Sequence, residues 1–136
     1  MDDEALWAAF SASALTHEQW THEVHVRTAY LFLQRFALDE AHLRLRAGII
    51  RQNERHGLTE SSARGYFETL TRAWLVLVAA ARQRCRAESS HELLARCPEL
   101  FERGLALRHY SKARLNSVQA RAIFIEPDLA PLPAVL

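Results

Sequence analysis

Apolar residues along this chain recur at three- and four-residue intervals and almost nowhere alternate, so the pattern predicts helices. Between Asp3 and Ser11, Leu6, Trp7 and Phe10 fall at i, i+1 and i+4, behind acidic residues that suit the first turn of a helix. Thr16-His17-Glu18-Gln19 fits a capping box, and Thr21 offers a second start a few residues later. The helix expected from about His22 to Phe36 carries an apolar face of Val26, Ala29, Tyr30, Leu33, Phe36 and Ala37, with His22 and His25 on the same face. Asp39 is the expected cap of a third helix through Leu43, Ala47 and Ile50, ending at Asn53 to His56 with Gly57 as its stop.

A polar connection, Thr59 to Ser62, precedes a helix expected over about 63–86. Between Ala73 and Ala81 it is apolar all round, which places it at the centre of the domain. Ser90 caps a short helix ending before Pro98. Pro98 opens a turn from Glu99 to Arg103 closed by Gly104, and Ser111 caps a last helix from Lys112. Prolines at 127, 131 and 133 forbid a helix in the tail, which predicts an extended strap with Leu129 and Leu132 laid on the body. Ala122 to Ile125 is the one strand-like piece. The reading is all-α: a single domain over residues 1–136, an irregular bundle of five to six helices around the central apolar helix, with the tail 126–136 extended.

Composition narrows the class. At 136 residues and 15.5 kDa the chain can bury a core without disulfides or a structural metal. Its 17 basic and 16 acidic side chains leave +1, without the excess that marks a nucleic-acid binder; the only basic cluster is Arg82, Arg84 and Arg86. All basic residues except Lys112 are Arg, a bias that fits a GC-rich genome. Cys85 and Cys97, with eleven residues between them, match no metal-binding spacing and read as free thiols of a reducing compartment. The acidic Met1-Asp2-Asp3-Glu4 is the opposite of a signal peptide's basic start, and the longest apolar run is nine residues against about twenty for a membrane span. The expectation is a soluble, cytoplasmic protein with no membrane or nucleic-acid partner.

Candidate chemistry is sparse. No phosphate-cradling Gly loop and no nucleophile elbow occurs. His17–His22 is one residue too long for the zinc-protease spacing, His22–His25 one too short, and Glu88–His91 straddles a predicted helix break. What remains is His22 and His25, neighbours on one helical face, with Glu68 near the start of the central helix and Thr71 one turn on. Two imidazoles and a carboxylate on facing helices match sets that bind Zn or Fe(II). The expected catalytic set is therefore Glu68, His25, Arg27 and Thr71, and the expected metal set His22, His25 and Glu68, with His56 and His109 as further ligands. Arg27 and Arg72 are candidates to neutralise Glu68 or to hold an anionic substrate. His17, His42 and His91 read as solvated. The competing reading is a non-enzymatic helical binding or scaffolding domain, a homodimer among its forms, whose His and Glu serve internal hydrogen bonds. It requires a large apolar surface patch and no enclosed polar cavity.

Four ordered motifs, His22-Glu23-Val24-His25-Val26-Arg27, Glu68-Thr69-Leu70-Thr71-Arg72-Ala73-Trp74, His109-Tyr110-Ser111 and Pro127-Asp128-Leu129-Ala130-Pro131-Leu132-Pro133, resemble an uncharacterised bacterial family of small helical proteins. The resemblance covers Thr16 to Pro133. It implies that the first two motifs surround one pocket and brings no activity with it. One departure is Phe67, where the family pattern places a His before the Glu; its absence would remove one ligand from a metal set there.

Overall fold

The computed structural model describes residues 1–61 and 65–136. Among these, seven α-helices and two short 3-10 turns make up the regular structure, and no strand is present: α1 Asp3–Ser11, α2 His22–Arg35, α3 Leu38–Arg55, α4 Glu68–Arg84, α5 Ser90–Arg96, 3-10 turns Pro98–Phe101 and Leu105–Arg108, α6 Lys112–Leu115 and α7 Val118–Ala122. The all-α reading holds. No helix among the described residues is long and apolar enough to cross a membrane.

Two helices, not one, form the centre. α4 is buried on nearly every side from Leu75 to Ala81, and α2 is buried continuously from Val26 to Leu33. They pack against each other, with α3 against both and α1 across α2. Leu6, Phe10, Tyr30, Leu31, Leu75, Leu93 and Leu94 fill the main core. A smaller cluster of Ala73, Ala106, Tyr110 and Leu115 lies under the C-terminal third, and α7 packs on α4. Gly48, mid-way along α3, is where α1 comes closest. A Cβ there would overlap the Phe10 ring, so a residue that costs a helix about 1 kcal/mol relative to Ala is what allows the two helices to meet.

α2 starts at His22 as the pattern puts it: Thr16 and Gln19 form the reciprocal capping bonds around a single turn before it, and Thr21 Oγ1 accepts from Val24 N. Other boundaries differ from expectation, each for a local reason. α3 starts before Asp39, with Ala37 at its N-cap and no side-chain cap, because the Asp39 carboxylate is drawn to Arg72 at 2.9 Å. The buried face of α3 is Ala41, Leu45, Gly48 and Gln52; Leu43 points outward at 67% exposure, so the Leu43–Ala47–Ile50 face was misassigned. α4 begins only at Glu68, since Gly65 takes φ +111° and Phe67 is extended; the helix start expected at about 63 lies outside the described residues. Ser89, not Ser90, caps α5, and the expected last helix is broken into α6 and α7 at Asn116.

The tail is an extended strap, and the third and fourth motifs hold it. His109 O accepts from Leu129 N and Ala130 N, and His109 Nδ1 donates to Pro131 O at 2.9 Å. Tyr110 Oη donates to Ile125 O at 2.7 Å, and Asp128 accepts from Ser111 N at 2.7 Å. Leu132 packs on the small cluster as expected, whereas Leu129 is 59% exposed and does not. Ala122 to Ile125 makes no strand: Thr69 Oγ1, buried on α4, donates to Ile123 O and accepts from Ile125 N.

Candidate functional site

Successive residues turn by about 100° round a helix, so positions i, i+3, i+4 and i+7 form one stripe. On α2 that stripe is His22, His25, Val26 and Ala29. On α4 and its N-cap it is Phe67, Leu70, Thr71 and Trp74. With Leu45, Ile49 and Asn53 of α3 these stripes enclose a cavity of about 410 Å3, completed by Trp20, Leu58, Gly65, Tyr66 and Arg103. Its size and mostly apolar, aromatic wall with a few polar groups are those of small-molecule sites.

The polar groups on the wall differ in how far the protein has already satisfied them. His22 Nε2 donates to Leu100 O at 2.9 Å, so Nε2 carries a proton and Nδ1 is left without a partner among the described residues; its ring meets Trp74 edge-on, 4.8 Å between centroids. His25 meets Trp20 in the same manner at 3.9 Å, yet neither of its ring nitrogens has a hydrogen-bond partner among the described residues. Its accessible area is large, but protein surrounds the ring closely enough that burial, reinforced by the charges of His22 and Arg103, pulls its pKa down from 6.5 to about 4. A ring on the wall of a recess satisfies both observations. Between pH 6.5 and 4 the unfolded chain therefore binds a proton at this residue that the native state refuses, and acidification through that window lowers stability. Asn53 is buried, 9% exposed, and its carboxamide has no partner among the described residues. Arg103, in the turn between the two 3-10 segments, is exposed and has no carboxylate partner among them either.

Two residues of the expected set lie elsewhere. Glu68 faces α3, not the cavity: Oε1 accepts from Tyr66 Oη and His42 Nε2, both at 2.7 Å, and Oε2 accepts from Arg46 at 3.3 Å. Burial opposes its charge, but the bonds from Tyr66 and His42 and the neighbouring Arg46 hold its carboxyl below the ordinary range. The same network makes Tyr66 a poor acid, since burial and its bond to Glu68 push the phenol well up. Arg72 donates to His42 Nδ1 at 3.4 Å, so the imidazole read as solvated is the middle of a chain from Arg72 to Glu68. Arg27 is one residue past Val26 and points away from the cavity. It is 4% exposed and donates to Ser90 Oγ, Met1 O and Asp3.

The structure thus brings together His22, His25 and Thr71 and separates them from Glu68 and Arg27. His56 Nε2 donates to Leu15 O at 2.8 Å and His109 holds the strap, so neither joins the cavity. Among the described residues no group of three or more His, Cys, Asp or Glu is placed to hold a metal ion. Asn53 and Arg103 were not foreseen: each is one of many similar residues in the sequence, and only the packing of α3 and of the second half of the chain brings them to α2. Comparisons with protein-family models, with curated proteins and with solved structures found no match for this chain.

Proposed function

We propose that the cavity between α2, α3 and α4 binds a small molecule, with His25 as its principal polar contact and His22 Nδ1, Asn53 and Thr71 completing the polar wall. The observation that carries this is the unpartnered imidazole of His25. Its ring is exposed on the wall of a cavity of ligand size, and nitrogens that no protein group has taken are placed there to meet a ligand. With its pKa lowered to about 4, His25 is uncharged at neutral pH and can donate one hydrogen bond and accept another. A divalent metal on His22 and His25 would lack the carboxylate expected from Glu68, which its three partners hold on α3. The scaffolding reading draws only on dispersed exposed apolar residues such as Val118 and Ile123, which are ordinary on a monomer. Arg82 donates to Leu33 O and Arg84 pairs with Glu99, which supports a reading without a nucleic-acid partner. Two free thiols fit a cytoplasmic location.

Indole, neutral and flat, is a suitable probe of the cavity. Calorimetric titration of tag-free protein should show one binding site, and Ala29→Leu, which adds bulk to the cavity wall, should abolish it while the melting temperature holds or rises. Elemental analysis of the same preparation should find Zn and Fe well below one equivalent. No indole binding, or equal binding by a folded Ala29→Leu variant, refutes the proposal. Stoichiometric metal that is lost in His25→Ala replaces it with a metal centre.

A further inference from the structure

Granting that the cavity binds a small molecule, its wall also specifies the charge of that molecule. Among the described residues that line it, none is Asp or Glu. The formal charge among them is the guanidinium of Arg103, which no carboxylate neutralises among the described residues, whereas other arginines are paired: Arg27 with Asp3, Arg44 with Glu40, Arg46 with Glu68, Arg72 with Asp39, Arg84 with Glu99 and Arg108 with Glu102. The nearest acidic residue in sequence, Glu102, is itself taken by Arg108 at 2.8 Å, so the turn that presents Arg103 is held while Arg103 is left free.

Beyond the guanidinium the wall changes character. Trp20, Phe67, Leu70, Trp74 and Ile49 offer aromatic and aliphatic surface, while the nitrogens of His25 and the carboxamide of Asn53 offer neutral donors. A cationic ligand would meet a like charge and no counter-ion. A fully polar ligand would leave the aromatic surface uncovered. We infer that the natural ligand is a small organic carboxylate with an apolar or aromatic body, its carboxylate held by Arg103 and a ring N–H of His25, its body between Trp20 and Trp74.

Three probes on one phenylpropyl frame vary the charge of the head group: 3-phenylpropanoate, its isostere 3-phenylpropanamide, and 3-phenylpropylamine, titrated calorimetrically into the whole protein at pH 7.5 and low salt. The carboxylate should bind about tenfold tighter than the amide, as a charge-assisted pair at a partly exposed arginine implies, and the amine weakest. Arg103→Gln, a surface change that leaves the fold intact, should abolish the preference for the carboxylate over the amide. Equal affinity for acid and amide, preference for the amine, or indifference of the carboxylate to Arg103→Gln overturns the inference. If indole binds while the acid gains nothing over the amide, only the charge assignment fails. If neither indole nor any of the three binds, the cavity reading itself fails.

Discussion

Arg27→Met should lower the unfolding free energy by about 3–5 kcal/mol, a large part of the 5–15 kcal/mol typical of a domain. The guanidinium is buried and joins three helices: Nε donates to Ser90 Oγ on α5 at 2.8 Å, one terminal nitrogen donates to Met1 O at 2.7 Å, and the same nitrogen pairs with Asp3 of α1 at 3.3 Å. Ser90 is itself bound to Asp3 through both its amide and its hydroxyl. Removing only the arginine leaves the carboxylate and a fully buried serine without their cation, which costs more than the pair contributes. The double variant Arg27→Met, Asp3→Leu should therefore recover part of the loss in urea unfolding. The pH dependence has a definite sign. Burial works against the Asp3 charge, but the bonds from Ser90 and Arg27 overcome it and hold the carboxyl below 3.8, so its contribution is complete above that value and is lost as the pH falls below it. A variant within 1 kcal/mol of the parent would show that this cluster contributes little to holding α1 and α5 on α2.

Glu68→Ala should cost about 2–3 kcal/mol, because it strands the Tyr66 hydroxyl, His42 Nε2 and Arg46 at the junction of α3 and α4. Its effect on the cavity is the more informative half. Glu68 does not line the cavity, so indole affinity in the variant, measured where it is still folded, should stay within about threefold of the parent. A carboxylate working beside His22 and His25, as the sequence suggests, predicts the reverse: little change in stability and loss of binding. Indole binding and urea unfolding on one preparation separate the two.

The contrast marks how far the sequence can be read. The helices and their order follow from periodicity and capping, and α1 and α2 fall where the pattern puts them. The i, i+3, i+4, i+7 stripes that line the cavity are also visible once Phe67, Leu70, Thr71 and Trp74 are grouped together; pairing Glu68 with Thr71 by their three-residue spacing hides them. What periodicity does not contain is which neighbour a helix face meets. Glu68 and Arg72 share a side of α4 that α3 covers, and His42 and Asp39 are there to receive them. Those pairings, the outward turn of Leu43 and the arrival of Asn53 and Arg103 at the cavity all depend on helix crossings set by the core as a whole. Phe67 lines the cavity and lies under Arg121, whose guanidinium carbon is 4.5 Å from the ring centroid.

The most direct test is the titration of His25 in the free protein, followed through its imidazole nitrogens by NMR and assigned with a His25→Gln variant. With protein close around the ring and the charges of His22 and Arg103 beside it, His25 should stay neutral to below pH 5 and titrate near 4. A midpoint between 6 and 7 would mean that these surroundings leave His25 like any surface imidazole, and would contradict its place as the principal polar contact of the cavity.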